Sequence, residues 1–338
     1  MKRCYLSGFI LLMLITGLTR AWGRDVVRVS HSAVSVSQGL LWVVQDAGIF
    51  QKYNLEPQII YIAGAPPNIA ALLSGDLDFT IFAGPASVAA TVEGADVRVL
   101  MSFLNTMDHT FFSIPAIKNP ADLKKKRIGI SRPGSADDYG VRILLRKWNL
   151  DPDKEVALLT IGGQPTRLSA MQAGRIDASV FQLPTTAQAR KAGLSELAFL
   201  GDLGIDYLGT SIVATNSMIQ KNPVLVERFV KSFVEGIAYL KTNKEASLKS
   251  IARFTKLEDR AVLEEAYNTY AHKLLPQVPY PSNKGIEAIL EDLGKKNPKA
   301  RAADPAKFIE TRFLKELEAS GFIAQLYRKW TSTLAVEK

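Results

Sequence analysis

Short apolar runs alternate with amphipathic stretches along most of the chain. Runs over 26–30, 58–62, 79–82 and 98–103 predict four strands. Helical spacing predicts helices over 38–46 and 67–73, with a third beginning at Ser87. The same order then returns. Strands are predicted over 127–131, 156–161, 178–181 and 197–200, and helices over 135–147, 166–171 and 185–192. A last apolar run, 208–214, crosses back. Strands alternating with helices predict largely parallel sheets. After Ser217 the pattern changes to amphipathic helices over 223–241, 244–254, 257–273, 284–295 and 305–320.

The second half of the α/β pattern echoes the first residue by residue. Ala71, Gly75, Asp78, Phe82 and Pro85 recur in register as Ala170, Gly174, Asp177, Phe181 and Pro184. Upstream, Asn54, Leu55 and Pro57 are answered by Asn149, Leu150 and Pro152, and Ile62 and Gly64 by Ile161 and Gly163. Two copies are too few for a solenoid. They predict two similar α/β lobes with a cleft between them, a common place for a small-molecule site. The expected division is 24–110 with 208–338 as the first lobe and 111–207 as the second. The helical tail then packs on the first lobe. No low-complexity linker interrupts the chain, so the crossings are expected to be short hinges.

Composition changes this picture little. A chain of 338 residues suits about two domains, and 47% hydrophobic with 22% charged residues is ordinary for a globular protein. The first 23 residues read as a secretory signal. Lys2 and Arg3 form its basic start. The apolar core, 6–15, is too short to span a bilayer. Ala21 and Gly23 are small residues at the cleavage-defining positions. Cys4, the only cysteine, leaves with the signal and lacks a lipobox around it, so the mature chain has no disulfide. The formal net charge of +9 includes Lys2, Arg3 and Arg20, which leaves 9 − 3 = +6 after cleavage. Basic residues are scattered among acids, and the run 124–127 reads as a solvated turn. No nucleic-acid footprint is present.

Most catalytic chemistry is absent from the pattern. His31, His109 and His272 are far apart and match no metal-binding spacing. The stretch 209–213 lacks the second glycine of a nucleophile elbow, and 129–135 has P-loop-like glycines without the lysine. No cofactor, metal or catalytic residue is therefore expected. A binding constellation remains, because ligands in α/β sheets sit beyond the carboxyl ends of strands. Those ends supply Ser32, Ser37, Gln38, Gly84 and Ser87 in the first lobe and Arg132, Ser135 and Gln182 in the second. Asp206 joins them from the return crossing. Ser37, Ser87 and Ser135 fall near helix N-termini, where they serve as caps or help to hold an anion. Gln182 is a polar residue ending an apolar strand. Arg132 either neutralises an anion or lies on the surface. Asp137 and Asp138 suit the helix dipole, yet repel an anion if turned inward, so the ligand's charge stays open.

Several stretches carry a family resemblance. They are 46–56, opening with Asp46, Ala47, Gly48, Ile49 and Phe50; 71–78; 130–135; 170–184; and 320–322. In that order the chain resembles the solute-binding proteins of nitrate/sulfonate/taurine-type ABC importers. The resemblance implies a bilobal periplasmic binding protein fold of type II, its first lobe built from both ends of the chain. It also implies hinge closure on a small solute of the nitrate, sulfonate, taurine or pyrimidine-precursor class. A monomer that docks to an ABC transporter permease from the periplasm is expected. The same broad family includes a thiamine-pyrimidine synthase with a cysteine-rich motif and an aromatic desulfinase with a cysteine nucleophile. The mature chain has no cysteine, so neither chemistry carries over. An enzyme or ligand sensor on the same fold is the alternative.

The exported protein should begin at Arg24, which amino-terminal sequencing checks. A mature form that retains Lys2, or a lipid on Cys4, would overturn this reading.

Overall fold

The structure, a computed structural model, describes residues 23–328. The expected signal segment, apart from Gly23, and Cys4 with it lie outside the described residues. Ten strands form two sheets. The first sheet holds β1 (Asp25–His31), β2 (Leu55–Tyr61), β3 (Phe79–Ala83), β4 (Val97–Ser102) and β10 (Thr210–Thr215). The second holds β5 (Thr110–Ser113), β6 (Arg127–Ile130), β7 (Ala157–Thr160), β8 (Ala178–Phe181) and β9 (Ser195–Phe199). Their orders are β2-β1-β3-β10-β4 and β7-β6-β8-β5-β9. In each, the first three strands are parallel and the fourth is antiparallel to both neighbours. The fourth strand is in each case the one that has just arrived from the other lobe. The crossings run over 103–109 and 204–209, beside the divisions expected after 110 and 207.

Helices α1 (Leu40–Asp46), α2 (Ile49–Lys52), α3 (Ala65–Leu73) and α4 (Pro85–Val92) connect strands of the first lobe. Helices α5 (Ala136–Lys147), α6 (Gln164–Gln172) and α7 (Thr185–Lys191) do so in the second. The tail is helical: α8 (Asn216–Lys221), α9 (Pro223–Thr242), α10 (Lys244–Thr255), α11 (Arg260–Asn268), α12 (Asn283–Gly294), α13 (Pro298–Arg301) and α14 (Arg312–Ala319). The expected helix over 257–273 is divided, since α11 passes into a wider π-type stretch, Thr269–Leu274. The strand β5 was not legible as one, because a four-residue run around Phe111 and Phe112 is too short to show a period.

Burial explains the layers. Adjacent residues of a strand face opposite sides. Phe111 therefore packs with Ile128, Val141 and Val180, while Phe112 packs with Leu168, Met171 and Phe181. Both faces of the sheet are covered, as a largely parallel sheet requires. In the first lobe the tail supplies part of that cover. Phe229 of α9 stacks on Phe79 of β3 with ring centroids 3.8 Å apart. On the other side Ile286 and Ile289 of α12 join Leu72, Val88 and Val97. The tail packs on the first lobe as expected.

The repeated aspartates pin the strands. Asp78 accepts the backbone N–H of Arg28 at 2.8 Å and its guanidinium at 2.9 and 3.1 Å. Asp177 treats Arg127 alike, at 2.8 Å to the N–H and 2.8 and 3.0 Å to the guanidinium. Arg127 follows Arg28 by 99 residues, as Asp177 follows Asp78. The crossings touch each other at Gly209, where a methyl group would lie 2.2 Å from the Leu104 carbonyl oxygen.

The side-chain hydrogen bond from Arg127 holds the Asp177 carboxyl below its ordinary pKa, with the Arg127 N–H contributing and partial burial opposing. A depressed carboxylate stabilises the fold above its unfolded value, near pH 4, and that contribution is lost as pH falls through the folded value. Asp177→Asn should therefore lower stability at pH 7 by about 1 kcal/mol, because the guanidinium is partly exposed and screened. The gap from the parent should narrow below about pH 3. Urea titrations at the two pH values check both statements.

Candidate functional site

The carboxyl ends of the parallel strands in both sheets meet across a polar cavity of about 50 Å³. Its wall takes Ser32, Gln38 and Tyr61 from the first lobe and Ser131, Ser135, Asp137, Arg167 and Gln182 from the second. Asp108, His109 and Tyr207 come from the crossings. A volume of this size holds a few waters or a few non-hydrogen atoms.

The loops after β1 and β6 are buried here, and their backbone N–H groups need acceptors. In the first lobe Gln38 Oε1 accepts from the N–H groups of Ser32 and Ala33 at 3.0 and 3.1 Å, and Gln38 Nε2 donates to Ser32 Oγ at 3.1 Å. In the second lobe Asp137 takes the same place, 99 residues on. It accepts from the Ser131 N–H, and from Ser131 Oγ at 2.7 Å. A carboxylate buried at this depth needs a cation. Arg167 of α6 supplies it through Nη1, and the same guanidinium donates to the carbonyls of Gly162 and Val180, both at 3.0 Å. The equivalent of Arg167 in the first lobe is Asn68, which donates to the carbonyls of Ile62 and Gly64. Burial pushes the Arg167 guanidinium below its ordinary pKa, with Asp137 opposing. Burial also lowers the pKa of His109, leaving its ring neutral at pH 7 although Asp108 opposes this.

Hydrogen bonds join the lobes along the cavity wall. The Ala65 N–H donates to Ser135 Oγ at 3.2 Å. Gln182 Nε2 donates to Ser37 Oγ at 3.1 Å and to Asp108 Oδ1 at 2.7 Å, while Gln164 Nε2 donates to Gln182 Oε1 at 3.0 Å. Gly64, at φ +80°, permits this closeness, since a methyl there would lie 2.8 Å from Ser135 Oγ. A larger cavity of about 270 Å³ lies on the far side of the Gln182 bridge. Ser37, Asp108, Thr186, Phe199 and Leu274 are among its lining residues.

The structure brings Ser32, Gln38, Ser135 and Gln182 together in the inner wall and puts Ser37 in the outer one. Four other candidates lie elsewhere. Arg132 and Asp206 are exposed and line neither cavity, because an isolated charge without a buried partner stays in water. Gly84 is taken up by the return crossing, donating its N–H to the Leu208 carbonyl at 2.9 Å. Ser87 is buried and donates to the Gly84 carbonyl at 2.7 Å. The anticipated serine caps are also corrected. Ser135 stands at the N-cap position of α5 but makes no side-chain capping bond, its hydroxyl being turned across the cleft. Sequence reasoning missed Arg167 and Asp108, while Tyr207, which the sequence offered beside Asp206 on the return crossing, lies on the inner wall. Position 167 was findable, since its counterpart in the first copy, Asn68, is also polar on a helix face next to apolar Ile69 and Leu168. Among the described residues no group of three or more His, Cys, Asp or Glu is placed to hold a metal ion.

Comparison with known proteins agrees with this architecture. A provisionally named binding protein of Brucella abortus is 26% identical over 245 residues, which cover 72% of this chain and 75% of that protein. The alkanesulfonate-binding protein SsuA of Xanthomonas axonopodis pv. citri, solved with MOPS bound, superposes with a TM-score of 0.69 at 20% identity. The match covers 85% of this chain and 98% of that one. The periplasmic nitrate-binding protein NrtA of Synechocystis PCC 6803 gives 0.71 at 12% identity, covering 90% and 91%. The fold is thus the bilobal type II binding-protein fold. The family model described as NMT1/THI5 like matches residues 38–247, more than half of the chain, and the protein belongs to that family.

Proposed function

We propose that this chain is the periplasmic solute-binding subunit of an ABC importer, a monomer that closes on a small solute and presents it to a membrane permease. The observation that carries the reading is the cavity lined by polar side chains between two alike lobes, which two crossings join among the described residues. Hydrogen bonds between the lobes line that cavity, so closing and filling the cleft are one event. The two lobes, 24–110 with 208–328 and 111–207, would hinge about the contact at Gly209, a motion known for this class of fold. Relatives of like fold whose names record alkanesulfonate and nitrate binding support a carrier role. Nitrate is small enough for the chamber of 50 Å³ and the larger solutes need the one of 270 Å³, so size does not choose among them. Binding without turnover fits the wall chemistry. Ser32, Ser131 and Ser135 bond to Gln38, Asp137 and the Ala65 N–H, and none bonds to His109. None of the three is paired with a histidine base, and the carboxylate that Ser131 meets is held by Arg167.

Protein stripped of solute by unfolding and refolding should show a larger radius of gyration by small-angle scattering than protein as recovered from cells. Equal radii would count against hinge closure. Gln182→Ala removes the bridge to Ser37, worth about 0.5–1.5 kcal/mol for a neutral bond. It should weaken retention of the recovered solute roughly two- to twelvefold, with little change in the melting temperature of the stripped protein.

A further inference from the structure

The cleft is acidic within a basic chain. The formal net charge is +9, yet the inner wall sets Asp108 and Asp137 against a single guanidinium, Arg167. That guanidinium is engaged by Asp137, in a place that the first lobe fills with a neutral Asn68. It is a structural partner with no charge left over. The outer wall sets Asp108, Glu196 and Glu265 against Arg190, itself paired with Glu196 at 2.8 Å. Asp108 is the residue common to both walls. Its partners are the neutral amide of Gln182 at 2.7 Å and the ring of His109 at 3.5 Å. Buried polar atoms without partners stand on the same walls. They are the hydroxyl of Tyr207, a residue 1% exposed, with Arg167 Nε on the inner side, and Oγ1 of Thr186, a residue 4% exposed, on the outer. An anion brought here would meet Asp108 as a like charge in a medium of low dielectric. A cation would instead add a direct charge–charge attraction at Asp108 that the neutral amide of Gln182 does not supply.

We propose that the solute is a small organic cation whose ammonium group is held by Asp108 in place of the Gln182 amide, with its polar remainder facing Tyr207 and Arg167 Nε. This rests on the solute-binding reading and adds the charge of the ligand to it. The test uses the mature full-length protein, stripped of solute, and two probe panels. The first is ethanolamine, 3-aminopropanol and methylamine; the second is methanesulfonate, nitrate and acetate. Thermal unfolding should rise with concentration for at least one ammonium compound and for none of the anions, since a ligand stabilises what it binds. Asp108→Asn should weaken that compound roughly ten- to hundredfold, the range for a hydrogen bond to a charged group. Glu265→Gln, an exposed change at the outer wall, should weaken it by less and provides the variant to use if Asp108→Asn does not fold. Stabilisation by the anions, or by neither panel, overturns the proposal. So does unchanged affinity in both variants. The binding reading is judged apart from this, by native mass spectrometry of protein recovered from cells. A bound anionic or neutral compound there upholds binding and overturns the charge assignment. Protein without any bound compound overturns both.

Discussion

A loop that is buried at a cleft must satisfy its own backbone, and much of this site follows from that need. The turns after β1 and β6 point N–H groups inward where water is scarce. The first lobe answers with the amide of Gln38, the second with the carboxylate of Asp137. The amide can stand alone. The carboxylate cannot, since an unpaired charge at that depth costs several kcal/mol. Arg167 is therefore drawn fully inside, and its partner occupies it. A cleft that contains an arginine thus has no spare positive charge. The electrostatics of the site is set by a structural requirement of one loop, and relatives that share the fold can differ in it while keeping every strand.

The sheets were legible in the sequence because they rest on local pattern and on a repeat that preserves spacing. Asp78 and Asp177 stand out once the copies are aligned, and they prove to tie β1 at Arg28 and β6 at Arg127. Gln182 was legible as a polar end to an apolar strand. The failures share a cause. Ser135 looks like a cap because capping is a local rule, but its hydroxyl has a better use across the cleft, visible only when Ala65 is 3.2 Å away. Arg132 looks like the anion-binding cation because it sits in the right loop, whereas the buried cation is Arg167, on a helix whose pattern says nothing of depth. Asp108 lies on a crossing, which has no period to read.

The placement of β10 has a consequence for how the chain is made. It fills the gap between β3 and β4 in the first sheet, yet it is synthesised more than a hundred residues after either. Until it arrives, both neighbours present an unpaired edge, and unpaired edges invite aggregation. The second lobe has no such debt, since all its strands lie between Thr110 and Phe199. The lobe that emerges first from the ribosome or the translocation channel is consequently the one that finishes last. It spends the interval as an incomplete sheet in need of a chaperone or of speed.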